Sequence, residues 1–341
     1  MITESERHPV GANPRPWPVP LACPDHRQPL GQDDSQTEDA LRCPSGCRFT
    51  IIGGVPRFVA SDDYAAGFGL QWNTFRTVQL DSTTGLSISR DRLTRLFGGT
   101  LDDVSGATVL EVGCGAGRFT EILLERGAIV VATDLSSAVD ANRRNCGHHP
   151  NHFACQADVL RLPFCPRQFD FVVGVGFIQA TPSPERTIQS LCEHVKPGGR
   201  IVIDHYGLDY PTNFSRRVLR SLLRRLPTRP AMAVNNAIVS MLWPIHRGLW
   251  ASRPIRGLGR LSNLWLRISP VVDYHRAYPE LGPALLLQWA KLDTHDTLTD
   301  CYKHLRSSDQ ITGILRSCGM EGIESEEAGN GVEARARRPS E

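Results

Sequence analysis

Three glycines and one carboxylate give this sequence its clearest binding chemistry. Residues 108–120 read TVLEVGCGAGRFT, with Gly113, Gly115 and Gly117 at alternate positions. Glycine permits a sharp turn and a close approach of the backbone to a ligand, because it has no Cβ. The next apolar run ends at Asp134, whose carboxylate can accept hydrogen bonds from both hydroxyls of a ribose. This pattern indicates a nucleoside site.

Parallel strands are the elements that must position these groups. Val109, Leu110 and Val112 predict a buried strand that leads into the glycine turn and then into a helix. Asp158 follows a further strand, where its carboxylate could hold an adenine amino group. Ligands of open parallel sheets bind outside the carboxyl ends of the strands, so these acids are expected at one edge. A dinucleotide site needs glycine where Arg118 stands, which argues against a dehydrogenase.

At these residues the chain resembles the class I S-adenosylmethionine-dependent methyltransferases of the type 11-like group, over about residues 108–203 and again near the C-terminus. EVGCGAG is similar to their first motif and ADV at 157–159 to their adenine contact. The resemblance implies an α/β fold with a Rossmann-like, seven-stranded, mostly parallel sheet and an antiparallel C-terminal hairpin. It also implies S-adenosyl-L-methionine as cofactor, with these contacts: Glu111, Gly113, Gly115, Gly117, Asp134, Leu135, Asp158, Val159 and Val175.

Four candidate metal ligands lie near the N-terminus, in the pairs Cys23 with His26 and Cys43 with Cys47. Two pairs of cysteine or histidine ligands on tight turns suit a tetrahedral structural zinc. The segment resembles the N-terminal zinc ribbon fused to some bacterial class I methyltransferases, which usually have cysteine in place of His26. Two interpretations stay open: a ribbon that binds Zn²⁺, and a ribbon that keeps its shape by packing and has lost the metal.

Composition divides the chain into five parts. The first twenty residues are polar and proline-rich, which predicts disorder. In the segment that links the zinc-ribbon-like part to the first strand, Phe68, Trp72 and Phe75 share a helical face. Two interpretations stay open: these rings close the cofactor cleft, or they pack the segment onto the sheet. The predicted parts are a disordered lead (1–20), a zinc-ribbon-like β segment (21–60), a helical linker or cleft cover (61–105), the methyltransferase domain (106–206 and 307–338) and a helical insertion (207–306).

The insertion has an unusual charge balance. Between residues 207 and 270 it has eleven arginines against one acid, Asp209, and no lysine. Three interpretations stay open: a cationic cap for an anionic substrate, amphipathic helices that contact an anionic membrane, and arginines that are merely solvated. The run WAKLDTHD at 289–296 resembles a signature of zinc-ribbon methyltransferases and is expected near the cleft. The arginines are Arg216, Arg217, Arg220, Arg224, Arg225, Arg229, Arg247, Arg253, Arg256, Arg260 and Arg267.

Methyl transfer from a sulfonium requires alignment of the reactants and removal of a proton from an OH or NH acceptor. His205, after the fifth strand, is the candidate base, because imidazole titrates near neutral pH. A buried structural histidine is the competing interpretation. Gln179 is a second candidate catalytic residue and His295 a weaker base. Residues 177–182 contain no carboxylate and no N-P-P-Y motif, which argues against methylation of the exocyclic amino group of adenine or of glutamine.

The composition also limits the partners and the compartment. A net charge of +2 gives no global basic signal for nucleic acid, and a hydrophobic content of 40% supports a core. No signal peptide or membrane span is expected, and the scattered cysteines indicate a cytoplasmic protein, with peripheral contact at the inner membrane as an option. The favoured function is O- or N-methylation of a small-molecule, glycan or lipid-linked anionic acceptor. A ribosomal RNA guanine methyltransferase and a non-catalytic cofactor-binding module are the alternatives.

Overall fold

The structure is a computed structural model that describes residues 16–33, 39–60, 63–251, 258–329 and 331–340. Some predicted features lie outside these residues. They are most of the lead at 1–20 and, within the insertion, Arg253 and Arg256.

The described N-terminal residues form a small antiparallel sheet of four short strands. The strands are β1 (Gly31–Gln32), β2 (Ala40–Arg42), β3 (Arg48–Ile52) and β4 (Val55–Pro56). Leu41 lies opposite Phe49 in the β2–β3 pair. The Phe58 amide donates to the Gln156 carbonyl (2.8 Å), which attaches this segment to the edge of a second, larger sheet. The predicted small N-terminal β segment is confirmed.

Three helices connect the two sheets: α1 (Ala66–Thr74), α2 (Asp81–Thr84) and α3 (Ile88–Leu96). The Asp81 carboxylate accepts hydrogen bonds from the amides of Ser89 and Arg90, both at 2.9 Å, and so fixes the start of α3 against α2. Leu93 and Leu96 of α3 are fully buried in one of the cores of the large sheet. We call residues 63–105 the connector.

The large sheet is built from strands joined by crossover helices. Its first elements are β5 (Thr108–Val112), α4 (Thr120–Glu125), β6 (Ile129–Asp134), α5 (Ala138–Cys146), β7 (His152–Gln156), β8 (Phe169–Gly174), α6 (Pro184–His194) and β9 (Val195–Tyr206). Successive side chains of a strand point to opposite faces. Leu110 is therefore buried with Ile188 of α6 on one face, and Val109 with Ile122 of α4 on the other.

The insertion follows β9 and is helical in its described part, as predicted. Its helices are α7 (Phe214–Leu223), α8 (Thr228–Ala251), α9 (Leu258–Ile268) and α10 (Pro283–Thr299). Val239 and Trp243 of α8 share a core with Trp289 and Leu292 of α10. Among the described helices, none is both long enough and apolar enough to cross a bilayer.

The chain then returns to the large sheet through α11 (Ser308–Ser317), β10 (Glu321–Ala328) and β11 (Gly331–Arg337). In the described chain the strand order is β10-β11-β9-β8-β5-β6-β7. The pairs among β5 to β9 are parallel, and β11 runs antiparallel to both β9 and β10. The predicted seven-stranded α/β sheet with an antiparallel C-terminal hairpin is confirmed.

Candidate active site

A cavity of about 1170 Å³ lies at the carboxyl ends of the parallel strands. One wall comes from the segments that follow β5, β6 and β8, at residues 112–116, 134–135 and 175–177. The other wall comes from the connector and α10 and includes Trp72 and Trp289. Sites for one drug-sized ligand usually have ~300–1,000 Å³. This cavity therefore has room for a nucleoside cofactor and a second molecule.

The glycine turn forms a floor of bare backbone. Gly113 and Gly115 have φ values of 69° and 51°, which side chains rarely adopt. A Cβ on Gly113 would lie 2.5 Å from the ring of Phe177, and one on Gly115 would lie 3.2 Å from the ring of Trp72. Both positions therefore require glycine, for conformation and for space.

Asp134 lies beside this turn, as predicted. Its Oδ2 accepts a hydrogen bond from the Gly115 amide (3.0 Å), and its Oδ1 accepts from the amide and the hydroxyl of Ser136 (2.8 and 2.7 Å). Burial raises the pKa of Asp134, while these hydrogen bonds act in the opposite direction. Leu135, Val159 and Val175 line the same cavity.

Gly117 and Glu111 serve packing in this structure and form no part of the described cavity wall. A Cβ on Gly117 would lie 2.9 Å from Sγ of Cys146, so glycine here lets α5 pack closely. The Glu111 carboxyl is buried under the turn and accepts a hydrogen bond from the hydroxyl of Thr120 (2.5 Å). Burial raises the pKa of Glu111 to about 8. The predicted cofactor role of both residues stays a prediction.

Asp158 also does not line the cavity in the described part of the chain, although its neighbours Ala157 and Val159 do. Its Oδ1 accepts from the Leu160 amide (2.9 Å) and caps a short 3-10 turn. The adenine contact predicted for Asp158 is therefore not visible in this arrangement and stays a prediction.

The two predicted catalytic residues lie behind the cavity, and neither belongs to its described wall. His205 is buried, with Nδ1 against the Tyr206 carbonyl (3.0 Å), and burial lowers its pKa. Gln179 is buried and donates from Nε2 to the Gly176 carbonyl (2.9 Å). These contacts are structural, and a catalytic role for either residue stays a prediction.

His295, the weaker predicted base, is likewise buried away from the described wall. Its Nδ1 lies 2.8 Å from Oε1 of Gln71 in α1. Burial lowers the pKa of His295 to about 4. The residue thus links α10 to the connector as a neutral imidazole.

Sequence reasoning missed the side chains of the second wall. Tyr274, Trp289, Asp293 and Asp296 line the cavity opposite the glycine turn, and Arg118 lies between the two walls. The available signal was the run WAKLDTHD, which contains Trp289 and both aspartates. It indicated proximity to the cleft but not the side chains that face it.

The three connector rings predicted to share a helical face lie in two places, and neither is the core of the large sheet. Phe68 and Trp72 line the cavity. Phe75 is buried in the core shared by α8 and α10. Helix α1 therefore lines the cavity, and the residue that follows it packs against the insertion.

The arginines of α7 also divide. Arg216 lines the cavity and donates from Nε to the Pro270 carbonyl (3.1 Å), and Arg220 forms an ion pair with Asp300. Arg217 is exposed, as are several arginines that follow the helix: Arg224, Arg225 and Arg229. The arginines of the insertion thus lie partly at the cavity or in ion pairs and partly at the protein surface.

The four candidate metal ligands meet in one cluster. Nδ1 of His26 lies 3.6 Å from Sγ of Cys23, 3.6 Å from Sγ of Cys43 and 3.4 Å from Sγ of Cys47. All four ligand atoms lie within 4.8 Å of one another. Zinc–sulfur bonds of ~2.3 Å and zinc–nitrogen bonds of ~2.0 Å fit a tetrahedron of this size. The donor set therefore suits Zn²⁺.

The chain is similar to known methyltransferases. A family model described as a methyltransferase domain matches residues 110–203. The chain is 30% identical over 189 residues to the ubiquinone biosynthesis O-methyltransferase of Pseudomonas fluorescens, and the match covers 54% of this chain and 78% of that protein. The chain belongs to the class I S-adenosylmethionine-dependent methyltransferases.

Two further relatives of this methyltransferase are informative. It is 29% identical over 207 residues to the demethylmenaquinone methyltransferase of Thermobifida fusca, a match that covers 57% of this chain and 87% of that protein. It is 31% identical over 101 residues to the ubiquinone biosynthesis O-methyltransferase of Coxiella burnetii, which covers 29% of this chain and 43% of that protein. The predicted enzyme class and the cofactor S-adenosyl-L-methionine are confirmed, which favours an enzyme over a non-catalytic module.

Replacing Glu111 by glutamine should stabilise the methyltransferase in a pH-dependent way. Because the Glu111 pKa is raised from 4.5 to about 8 in the folded state, the folded protein holds this proton more tightly than the unfolded chain. This difference in pKa stabilises the folded protein fully below pH 4.5, and the stabilisation is lost as the pH rises towards about 8. The unfolding free energy of Glu111→Gln minus that of the wild type should increase by about 1.4 kcal/mol per pH unit in this window. Urea denaturation across the window measures it.

The exposed Glu193→Gln is the control, for which we expect no trend with pH. A difference between Glu111→Gln and the wild type that is constant across the window would contradict a neutral, buried carboxyl.

Proposed function

We propose that this methyltransferase transfers the methyl group of S-adenosyl-L-methionine to a hydroxyl or amine of a small, aromatic and lipid-linked acceptor. The observation that carries the proposal is the second wall of the cavity. It presents the aromatic rings of Trp72, Tyr274 and Trp289, to which Phe177 of the first wall and Tyr206 at the end of β9 add two more. Such rings pack against an aromatic or isoprenoid molecule over a large area. The quinone-related names of the relatives support this class of acceptor.

The cofactor is placed on the side of the glycine turn. When bound, it supplies an electrophilic methyl group on a sulfonium. Gly113 and Gly115 offer backbone without side chains, and Asp134 offers a carboxylate to the ribose hydroxyls. Leu135 and Val159 are apolar and flank the adenine in this placement.

Arg118 is placed to receive the carboxylate of the methionine part of the cofactor. Its guanidinium lines the cavity and donates to two neutral groups, the Ser89 hydroxyl (2.8 Å) and Oε1 of Gln79 (3.1 Å). It also lies 5.7 Å from the ring of Trp289. Burial and the charge of Arg92 lower the pKa of Arg118, so an anion beside it would be stabilised.

Replacing Asp134 by asparagine tests the function and the cofactor placement together. One hydrogen bond to a charged group contributes ~1.5–3 kcal/mol, so we expect Asp134→Asn to bind S-adenosylhomocysteine ~10- to 100-fold more weakly in calorimetry. Methyl transfer from labelled cofactor to a short-chain prenylated catechol should fall with it. Asp309→Asn is the matched control, and it should keep the affinity because Asp309 is exposed on α11 and does not line the cavity.

Unchanged affinity in Asp134→Asn would contradict the ribose assignment. Label that enters total RNA rather than the catechol would contradict the acceptor class and support the ribosomal RNA alternative.

We also propose that the N-terminal cluster binds one structural Zn²⁺ through Cys23, His26, Cys43 and Cys47. The distances among the four ligand atoms support it. A closed site of four protein ligands stabilises a fold and leaves no position for substrate. The metal would thus hold the small sheet together and take no part in methyl transfer.

Metal analysis of the purified protein should find one zinc per chain. Cys43→Ser should lose the zinc and lower the melting temperature, because structural zinc contributes folding free energy. Cys165→Ser removes a partly exposed thiol outside the cluster and should retain the zinc. Zinc well below one per chain in the wild type would favour the ribbon that keeps its shape by packing alone.

We further propose that α7 contacts an anionic membrane surface, from which a lipid-linked acceptor would enter. Phe214, Val218 and Leu222 form a stripe at every fourth position and are 81%, 40% and 53% exposed. Arg217 and Arg224 are exposed beside this stripe. A helix with an exposed apolar stripe and flanking cations is suited to lie in the interface of an anionic bilayer.

Vesicle sedimentation tests the membrane contact. The wild type should bind vesicles that contain phosphatidylglycerol more tightly than phosphatidylcholine vesicles, and added salt should weaken the binding. Insertion of one phenylalanine contributes ~1.5–3 kcal/mol, so Phe214→Asp should bind at least ~10-fold more weakly. Ile52→Asp changes an apolar residue of the small sheet that is 59% exposed and should bind as the wild type does. Equal losses in both variants would contradict a specific role for α7.

A further inference from the structure

Two aspartates one turn apart on α10 face the cavity in different ways. The Asp293 carboxylate accepts hydrogen bonds from the hydroxyl of Tyr274, from Nε1 of Trp289 (3.0 Å) and from Nε2 of Gln79 (3.1 Å). Among the hydrogen bonds of the described residues, none reaches the carboxylate of Asp296. The Asp293 carboxylate is thus occupied by hydrogen bonds from neighbouring side chains. Asp296 lines the cavity, and its carboxylate can accept a hydrogen bond from a bound molecule.

The cations near Asp296 are held by another acid. Asp300, at the end of α10, accepts from Nε of Arg220 (2.7 Å) and from Nζ of Lys303 (3.0 Å). Nζ of Lys303 also lies 4.9 Å from the centroid of the Tyr210 ring. Both cations therefore have a closer partner, and Asp296 remains beside them without a direct ion pair in the described structure.

The charge environment of Asp296 sets its proton affinity. Burial raises the pKa of its carboxyl to about 7, and the negative charges of Asp300 and Asp293 act in the same direction. The positive charges of Lys303 and Arg220 act in the opposite direction. A base whose pKa lies near the working pH is efficient, because it is substantially deprotonated and still takes up a proton readily.

We propose that Asp296 is the general base of the methyl transfer. This rests on the proposed function, because it requires an acceptor with a hydroxyl or amine. The acceptor O–H or N–H bond breaks, and its proton passes to the Asp296 carboxylate. The acceptor lone pair forms the bond to the methyl carbon, while the carbon–sulfur bond breaks and its electron pair returns to sulfur. The sulfonium loses its positive charge as the carboxylate loses its negative charge, so charge is conserved.

Position distinguishes Asp296 from the bases predicted from sequence. A general base must come within hydrogen-bond reach of the proton it removes. His205 and His295 are buried outside the described wall. Tyr206 does line the cavity, but burial, with the nearby charge of Asp296, raises its pKa well above the ordinary value, so its phenol is a hydrogen-bond donor.

Replacing Asp296 by asparagine should remove the base and retain the shape of the cavity. With catechol as the probe, we expect kcat to fall ~10²- to 10⁴-fold, the usual contribution of a general base. Calorimetric affinity for S-adenosylhomocysteine should stay within about twofold. The kcat/KM of the wild type should rise with pH through a value near 7, because the carboxylate must be unprotonated, and this limb should be absent in Asp296→Asn.

Asp293→Asn is the matched control on the same helix. It weakens the hydrogen bonds to Tyr274 and Trp289, so it should lower the melting temperature. It should keep the pH limb but move it to lower pH, because the negative charge of Asp293 raises the pKa of Asp296. A pH limb that persists in Asp296→Asn, or a kcat within about twofold of the wild type, would overturn the proposal.

Infrared difference spectroscopy of the free protein gives a readout that needs no turnover. The Glu111 carboxyl is also protonated near neutral pH, so the spectra are taken in a Glu111→Gln background. There the protein with native Asp296 should show a protonated-carboxyl band that titrates near a pKa of about 7 and is missing once Asp296→Asn is added. If the band is present but the wild type methylates no hydroxyl or amine, the proposed acceptor class fails while the proton affinity of Asp296 stands. If the wild type methylates catechol and the band is absent, the assignment of Asp296 as the base fails and the acceptor class stands.

Discussion

The hydrogen bond from the Gly115 amide to the Asp134 carboxylate fixes the geometry of the wall that contains the glycine turn. It joins the turn after β5 to the end of β6, and it can form because neighbouring parallel strands end at the same edge of the sheet. Ser136 holds the other carboxylate oxygen with two hydrogen bonds. An oriented acid next to the bare backbone of Gly113 is the arrangement that a ribose requires.

The meeting of the glycine turn with Asp134 could be predicted from sequence because its signals are local, whereas the direction of individual side chains could not. A glycine turn follows one apolar run, and an acid ends the next. Successive residues of a strand point to opposite faces, so Tyr206 reaches the cavity and His205 does not. Asp158 caps a turn instead of facing the cavity. Gly117 makes room for the close packing of α5.

The second wall of the cavity escaped prediction because it is assembled from distant parts of the chain. Gln79 of the connector donates to Asp293 of α10, across more than two hundred residues of sequence. Helical periodicity shows which residues share a face, but not what that face meets. Composition likewise cannot separate Arg216, which faces the cavity, from Arg217, which faces solvent.

The stretch matched by the family model, 110–203, contains the wall with the glycine turn and little of the other wall. Trp72 precedes this stretch, and Trp289 and Asp296 follow it. Sequence similarity confined to residues 110–203 therefore supports inferences about the methyl donor and almost none about the molecule that is methylated. Two enzymes can share this stretch and still differ in the flanking residues that complete the cavity.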